Sequence, residues 1–183
     1  MVFDRAAGVR LTERARLVPI GLEHVEDLWC LHQDDAVAQW HGGRWTRDQA
    51  RGYAERSSTA WETEGVHKWI AYDRVNGGLI GRGGLSHAEI DGQRRFELGW
   101  TVSAPLWGRG YATEIGQAGL ALGFNELNAT EIVAITERHN RRSRAVMERL
   151  GMCYSREILA EGLLEGQAGI HENAPFALYT IRR

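Results

Sequence analysis

The sequence predicts a mixed α/β fold, a single domain over residues 1–183 with one central, mostly antiparallel sheet flanked by helices. Three observations predict it. The first third holds a strand-like stretch followed by two stretches with helical character. The middle third holds three short apolar runs separated by hairpin turn residues. The last third alternates helix, strand, helix and strands. No internal repeat, low-complexity tract or Pro/Gly/Ser-rich linker divides the chain, and 183 residues suit one core.

Residues 12–19 alternate loosely and read as the first strand. Leu22, Val25, Leu28 and Trp29 then fall at helical spacing, and Thr46 ahead of a charged turn starts a second helix near Arg47. An antiparallel meander follows, with strands at 68–74, 79–86 and 94–102. Asn76-Gly77-Gly78 and Asp91-Gly92 lie between them, residues that accept the positive φ of tight hairpin turns. In the third of these strands Phe96, Leu98, Trp100 and Val102 share one face, and Glu97, Gly99 and Thr101 the other. Residues 112–127 read as a helix carrying the small residues Gly116, Gly119 and Gly123, and β-branched content marks 130–136 as a buried strand. Asn140 as N-cap and Gly151 as stop bound a helix with Ser143, Val146, Met147 and Leu150 on one stripe. Residues 152–158 and 176–183 complete the sheet.

Composition narrows the function. A net charge of -2 argues against general attraction to nucleic acid or an anionic membrane. Lys68 is the only lysine among the 22 cationic residues, and the arginines are scattered rather than gathered into a patch. Cys30 and Cys153 lie far apart with no CxxC or Cys/His cluster, and His41, His67 and His87 lack ligand spacing, so neither a disulfide framework nor a metal is expected. The N-terminal stretch lacks an apolar signal core and no apolar run approaches membrane-spanning length, which makes a reducing cytoplasm the default.

The chemistry concentrates at residues 105–114, P-L-W-G-R-G-Y-A-T-E, where a strand passes into a helix. The first turn of a helix leaves about four N–H groups unpaired and directed along a dipole that favours anions. Glycines at 108 and 110 remove the Cβ atoms that would hold a phosphate away, and Arg109 adds a donor. Neither GxxxxGK[ST] nor GxGxxG fits this spacing, so two readings remain: a tight strand-to-helix connection, or an anion seat.

Residues 97–114, E-L-G-W-T-V-S-A-P-L-W-G-R-G-Y-A-T-E, are followed from Asn140 by N-R-R-S-R-A-V-M-E-R-L-G-M. Together they resemble the GNAT superfamily of acyl-CoA-dependent N-acyltransferases, and within it the RimJ/RimL-like branch. The family's pyrophosphate loop, [Q/R]-x-x-G-x-[G/A], falls on Trp107 to Ala112, with Trp107 where Gln or Arg is usual. The run T-E-R-A-R-L-V-P-I is similar to the family's T-x-R-L-x-L-R-P opening, with Arg and Val at two of the usual positions. The resemblance spans almost the whole chain and is weakest in the acceptor-binding segment.

The resemblance implies a sheet splayed at the strand that binds acetyl-CoA, with Trp100, Thr101 and Val102 offering backbone groups to pantetheine and to the developing oxyanion. It implies a pyrophosphate seat at Trp107, Gly108, Arg109, Gly110, Tyr111, Ala112 and Thr113. Asn140 would contact CoA, or serve only as the helix N-cap. Ser143 would lie near the CoA sulfur and protonate the leaving thiolate, or bond back to a helix carbonyl. Tyr154 is the alternative acid. Trp40, His41 and Trp45 fall where the family builds its acceptor entrance, while His139 reads as bystander surface.

Glu97 is the candidate base on chemical grounds. A free alkyl amine of pKa ~10 is about one part in a thousand neutral at pH 7, a deficit of about 4 kcal/mol that a base can offset. Gly99 leaves space beside Glu97 on its strand face, so the carboxylate can act directly or through water; the alternatives are solvation or a pair with Arg95. No cysteine occupies a motif position, so transfer to an amine acceptor, a small molecule or a protein N-terminus, would be direct, in a ternary complex. A catalytically silent acyl-CoA-binding module, a succinyl-CoA enzyme and a nucleotide-phosphate protein are the rivals. Dimers are common among the proteins the chain resembles, so a homodimer is open.

Overall fold

The structure, a computed structural model, describes residues 8–90, 92–167 and 169–183. The described strands form one eight-stranded sheet in the order β1-β2-β3-β4-β5-β6-β8-β7. They are β1 (Arg10–Leu11), β2 (Ala15–Pro19), β3 (Trp69–Asp73), β4 (Leu79–Ile90), β5 (Gln93–Val102), β6 (Glu131–Glu137), β7 (Cys153–Leu163) and β8 (Ile170–Arg182). The helices are α1 (Val25–Leu31), α2 (Asp35–Ala38), α3 (Arg47–Glu64), α4 (Tyr111–Ala121) and α5 (Arg141–Arg149).

The helices begin where local chemistry dictates. Thr46 caps α3 reciprocally with Gln49, and Asn140 caps α5 by accepting the Ser143 N–H at 3.1 Å. Several boundaries differ from expectation. The strand expected at 12–19 is broken by a turn at 12–14, because the Thr12 N–H donates to the Ala15 carbonyl at 2.9 Å and the Thr12 hydroxyl oxygen accepts the Ala15 N–H at 3.0 Å, which splits β1 from β2. The first helix enters through a 3-10 turn, Leu22–His24, and the short α2, capped by Asp34, is an addition that its four residues were too few to announce. The strand expected at 79–86 continues to Ile90, paired with β5 along its length. Gly92 takes φ 66° in the turn between them; Asp91 of the expected Asp91-Gly92 pair lies outside the described residues. Helix α4 widens into a π turn at Leu122–Glu126, and β7 and β8 are longer than their apolar stretches because they pair with each other.

The two faces of the sheet carry separate cores. On one, α4 and α5 cover Trp69, Leu85, Leu98, Ile115, Ile132 and Leu150. Gly119 brings α4 down onto β4 and β5, since a Cβ there would lie 2.5 Å from Leu98 Cδ1. On the other, α1 and α3 cover Ile20, Leu28, Ala54 and Ile70. No helix among the described residues is long and apolar enough to cross a membrane.

One junction breaks the regularity. Every neighbouring pair in the sheet is antiparallel except β5 and β6, which run parallel and register at a single position, Glu97 against Val133. Beyond that point the strands diverge toward their C-terminal ends. Each then feeds a helix, α4 after β5 and α5 after β6.

Candidate active site

The divergence opens a cleft of about 970 Å³ at the carboxyl ends of the two parallel strands, the position where sheets that change direction commonly bind ligands. Its walls are Leu98 to Val102 on β5 and Ile135 to Glu137 on β6, with the starts of α4 and α5 at its mouth. Because β5 past Glu97 has no ladder partner on the β6 side, alternate backbone groups there face the cleft instead of a strand.

At the mouth, Gly108 and Gly110 take φ 76° and 85°, and Gly110 is the N-cap of α4. A Cβ on Gly108 would meet nothing within 4 Å, which leaves room for a ligand against the backbone. The loop is tied from behind. Glu114 accepts from the Thr12 hydroxyl at 2.5 Å, the Arg14 N–H at 2.7 Å and Arg14 Nε at 2.8 Å. Burial would raise that carboxyl, but these donors outweigh it and hold it below the ordinary value. Arg14 also donates to the Arg109 carbonyl at 2.8 Å and lies over the Tyr111 ring. The matching stretches T-E-R and A-T-E are thus two halves of one clasp.

Trp107 occupies its unusual position with two specific contacts. Its Nε1–H donates to the Val102 carbonyl at 2.7 Å, and the Arg142 guanidinium covers its ring at 4.6 Å. The indole therefore joins the end of β5 to the start of α5 across the cleft mouth. Gly108, Gly110, Tyr111, Ala112, Thr113, Asn140 and Ser143 line the cleft with it. Arg109 does not: its side chain is exposed and lies off the lining. Tyr154 is also placed elsewhere, 53% exposed and edge-on to Tyr179.

Glu97 lies inside the cleft, and its partner is Lys68. Lys68 Nζ donates to Glu97 Oε2 at 2.5 Å, to the Glu97 carbonyl at 2.8 Å and to the Gly84 carbonyl at 3.1 Å. Burial pushes the Lys68 ammonium below its ordinary value, and Glu97 opposes that shift. The pairing with Arg95 does not form; Arg95 bonds Gln93 and approaches Glu131 instead. Gly99 leaves the space its lack of a side chain suggests, since a Cβ there would stand 3.0 Å from Glu97 Oε1. Sequence reasoning missed Lys68, although the lone lysine of an arginine-rich chain was a visible oddity.

The inner part of the cleft is lined by Trp40, His41, Tyr53, His67 and Arg82. His41 is bonded to the Thr101 hydroxyl at 3.2 Å, and Trp40 leans on His139. Trp45 is not on this lining. It stacks flat on His32 at 3.6 Å, packing behind the cleft wall. Among the described residues no cluster of His, Cys, Asp and Glu is placed to hold a metal.

Comparison with known proteins agrees in kind. Residues 14–153 match the family model described as an acetyltransferase (GNAT) domain. The chain is 32% identical over 128 residues to the uncharacterized protein YkkB of Bacillus subtilis, covering 70% of this chain and 74% of that protein. It is 30% identical over 152 residues to the FsC-acetyl coenzyme A-N(2)-transacetylase of Aspergillus fumigatus, covering 78% of this chain and 64% of that protein. Among solved structures, a GNAT-family acetyltransferase from Bacillus anthracis superposes with a TM-score of 0.74 at 22% identity, covering 95% of this chain and 98% of that one, a likeness of fold.

Proposed function

The chain belongs to the GNAT acetyltransferase family, and from that premise we propose that it works as one N-acyltransferase domain, moving an acetyl group from acetyl-CoA to a primary amine by direct attack in a ternary complex. The observation that carries this reading is the β5–β6 wedge: one cleft joins the glycine-lined start of α4 at its mouth to a half-buried carboxylate on its wall. The W-G-R-G-Y-A-T-E run supports a RimJ/RimL-like member of the family.

In this reading the N–H groups at the start of α4 take the pyrophosphate, with the helix dipole behind them. Arg142, held over Trp107, adds a cation from the facing helix. The unpaired edge of β5 from Leu98 to Val102 guides the pantetheine and supplies N–H donors to the oxyanion that develops at the acetyl carbonyl. Glu97 takes the amine proton, directly or through a water, and Lys68 positions its carboxylate. Ser143, in the first turn of α5, donates to the departing thiolate, and Asn140 orders that turn.

Two variants test the assignment. Glu97→Gln is expected to lower kcat about a hundredfold or more, the usual span for losing a general base, with the KM for acetyl-CoA changed by less than about threefold. Thiol release with an amine panel reads it; an unchanged kcat removes Glu97 from the mechanism. Gly110→Glu strains a residue at φ 85°, brings a Cβ within 3.3 Å of the Arg14 guanidinium that ties the loop, and adds a negative charge at the start of α4. It is expected to raise the KM for acetyl-CoA about a hundredfold and to abolish the thermal stabilisation that CoA gives. Wild-type stabilisation by CoA with no turnover on any amine would instead identify a silent acyl-CoA-binding module.

A further inference from the structure

Arg82 has surroundings that acetyl transfer does not explain. It projects from β4, opposite Thr101 on β5, and is only 9% exposed while lining the cleft. A guanidinium carries five N–H donors. Here NH1 donates to the Tyr53 hydroxyl at 3.0 Å and NH2 to His32 Nε2 at 3.4 Å, both neutral acceptors. Nε is buried and has no partner. Tyr53 and Trp45 rings lie against the guanidinium at 4.5 and 5.3 Å and fix its plane.

Among the described residues no carboxylate pairs with Arg82, and Glu97 is engaged by Lys68. His32 donates through Nδ1 to the Leu28 carbonyl, which leaves Nε2 as an acceptor. His67, edge-on to Tyr53, has a second orphaned polar atom, Nδ1. A buried, uncompensated charge with unfilled donors is costly to fold, and such groups are otherwise paired. Around Arg82 the wall therefore holds one positive charge with no carboxylate paired to it, the complement of a monoanion; Glu137, the other acid on the lining, lies on β6 with its carboxyl pushed up by burial.

We infer that Arg82 seats a carboxylate carried by a reacting substrate, either on the amine acceptor or at the far end of the acyl chain. The inference rests on the acyl-transfer reading for its substrates, but the seat itself can be tested without turnover. Arg82 and Thr101 share the cleft-facing surface of the sheet with Glu97, so an amine directed to Glu97 can place its carboxylate toward Arg82.

Four acceptors spanning three spacer lengths (glycine and L-leucine, β-alanine, and 4-aminobutyrate) are compared as acids and as primary amides, using acetyl-CoA. In a second arm, succinyl-CoA is compared with acetyl-CoA at one fixed amine. An acid-over-amide preference in kcat/KM of about ten- to a hundredfold that falls to near one in Arg82→Gln places the carboxylate on the acceptor. The same pattern confined to succinyl-CoA places it on the donor. Arg82→Lys, which keeps the charge without the fork, is expected to restore part of the preference. Retained thermal stabilisation by CoA shows that the variants fold. If no arm turns over, calorimetric binding of the same acids and amides to the CoA-saturated protein decides alone. Acid-selective binding lost in Arg82→Gln keeps the seat while rejecting transfer, and equal treatment of acids and amides, and of both donors, by wild type and variant overturns it.

Discussion

Replacing Lys68 by Met is expected to lower the unfolding free energy by about 3–5 kcal/mol, the usual cost of removing one member of a buried ion pair. Lys68 is 7% exposed, and its three donor contacts satisfy the Glu97 carboxylate and the carbonyls of Glu97 and Gly84. Met fills the space without replacing any of those bonds. The carboxylate, with its side chain 17% exposed, is left without its cation, and two carbonyls lose a donor. Most of the cost comes from that stranded charge, so combining Lys68→Met with Glu97→Leu is expected to be less destabilising than the sum of the two single changes. Urea unfolding of the four proteins measures the coupling. Additive losses would show that the pair contributes nothing as a pair, and Lys68 would then have no claim to position the carboxylate.

Acid is expected to act on the same cleft by a different route. Burial, reinforced by the Arg82 charge, pushes His32 down to about 3 and His41 to about 2; burial with Lys68 and Arg82 takes His67 to about 4. In the unfolded chain all three return to about 6.5. The unfolded state therefore binds protons that the folded state refuses, so stability is full above about pH 6.5 and declines as pH falls below it. Near pH 5 unfolding takes up close to three protons, a slope of about 4 kcal/mol per pH unit. The loss sums to about 6 kcal/mol at pH 5 and about 10 at pH 4, so a domain in the lower half of the ordinary range of about 5–15 kcal/mol would reach its unfolding midpoint between roughly pH 5 and 4. Urea midpoints from pH 7.5 to 5 check this in a window above most carboxyl titration. A slope near 1.4 kcal/mol per unit, one proton, would mean that only one of these histidines stays neutral in the fold.

The two effects meet at Arg82. Its charge helps keep the histidines neutral, and Lys68 and Glu97 cancel each other beside it, leaving the guanidinium as the unmatched charge of the inner cleft. The polarity of this wall thus comes from five separate stretches, at His32, His41, His67–Lys68, Arg82 and Glu97, of which only the last lies in a run that carries the family resemblance.

Which parts were legible follows from the range of the interactions. Helix starts at Thr46 and Asn140, the turn glycines and the alternation along β5 are set within a few residues by caps, φ preferences and the two-residue pleat, so they can be read from the chain as written. The turn at 107–113 belongs to the same class, because glycines at positive φ ahead of a helix start are set by local backbone preference. The partner of Glu97 is different: Lys68 lies 29 residues away and reaches it only because β3, β4 and β5 align in register. Arg82 sits in G-R-G-G-L-S, where sequence reads a strand and cannot say that α1 and α3 will close over it with neutral residues. Trp107 and Arg142 become neighbours only after β5 and β6 part. The sequence by itself determined the fold class and the order of the main elements, because those rest on local backbone chemistry. Tertiary structure alone decided the length of the splay and the pairing of charges around it, because register and helix packing bring together side chains that sequence spacing keeps apart.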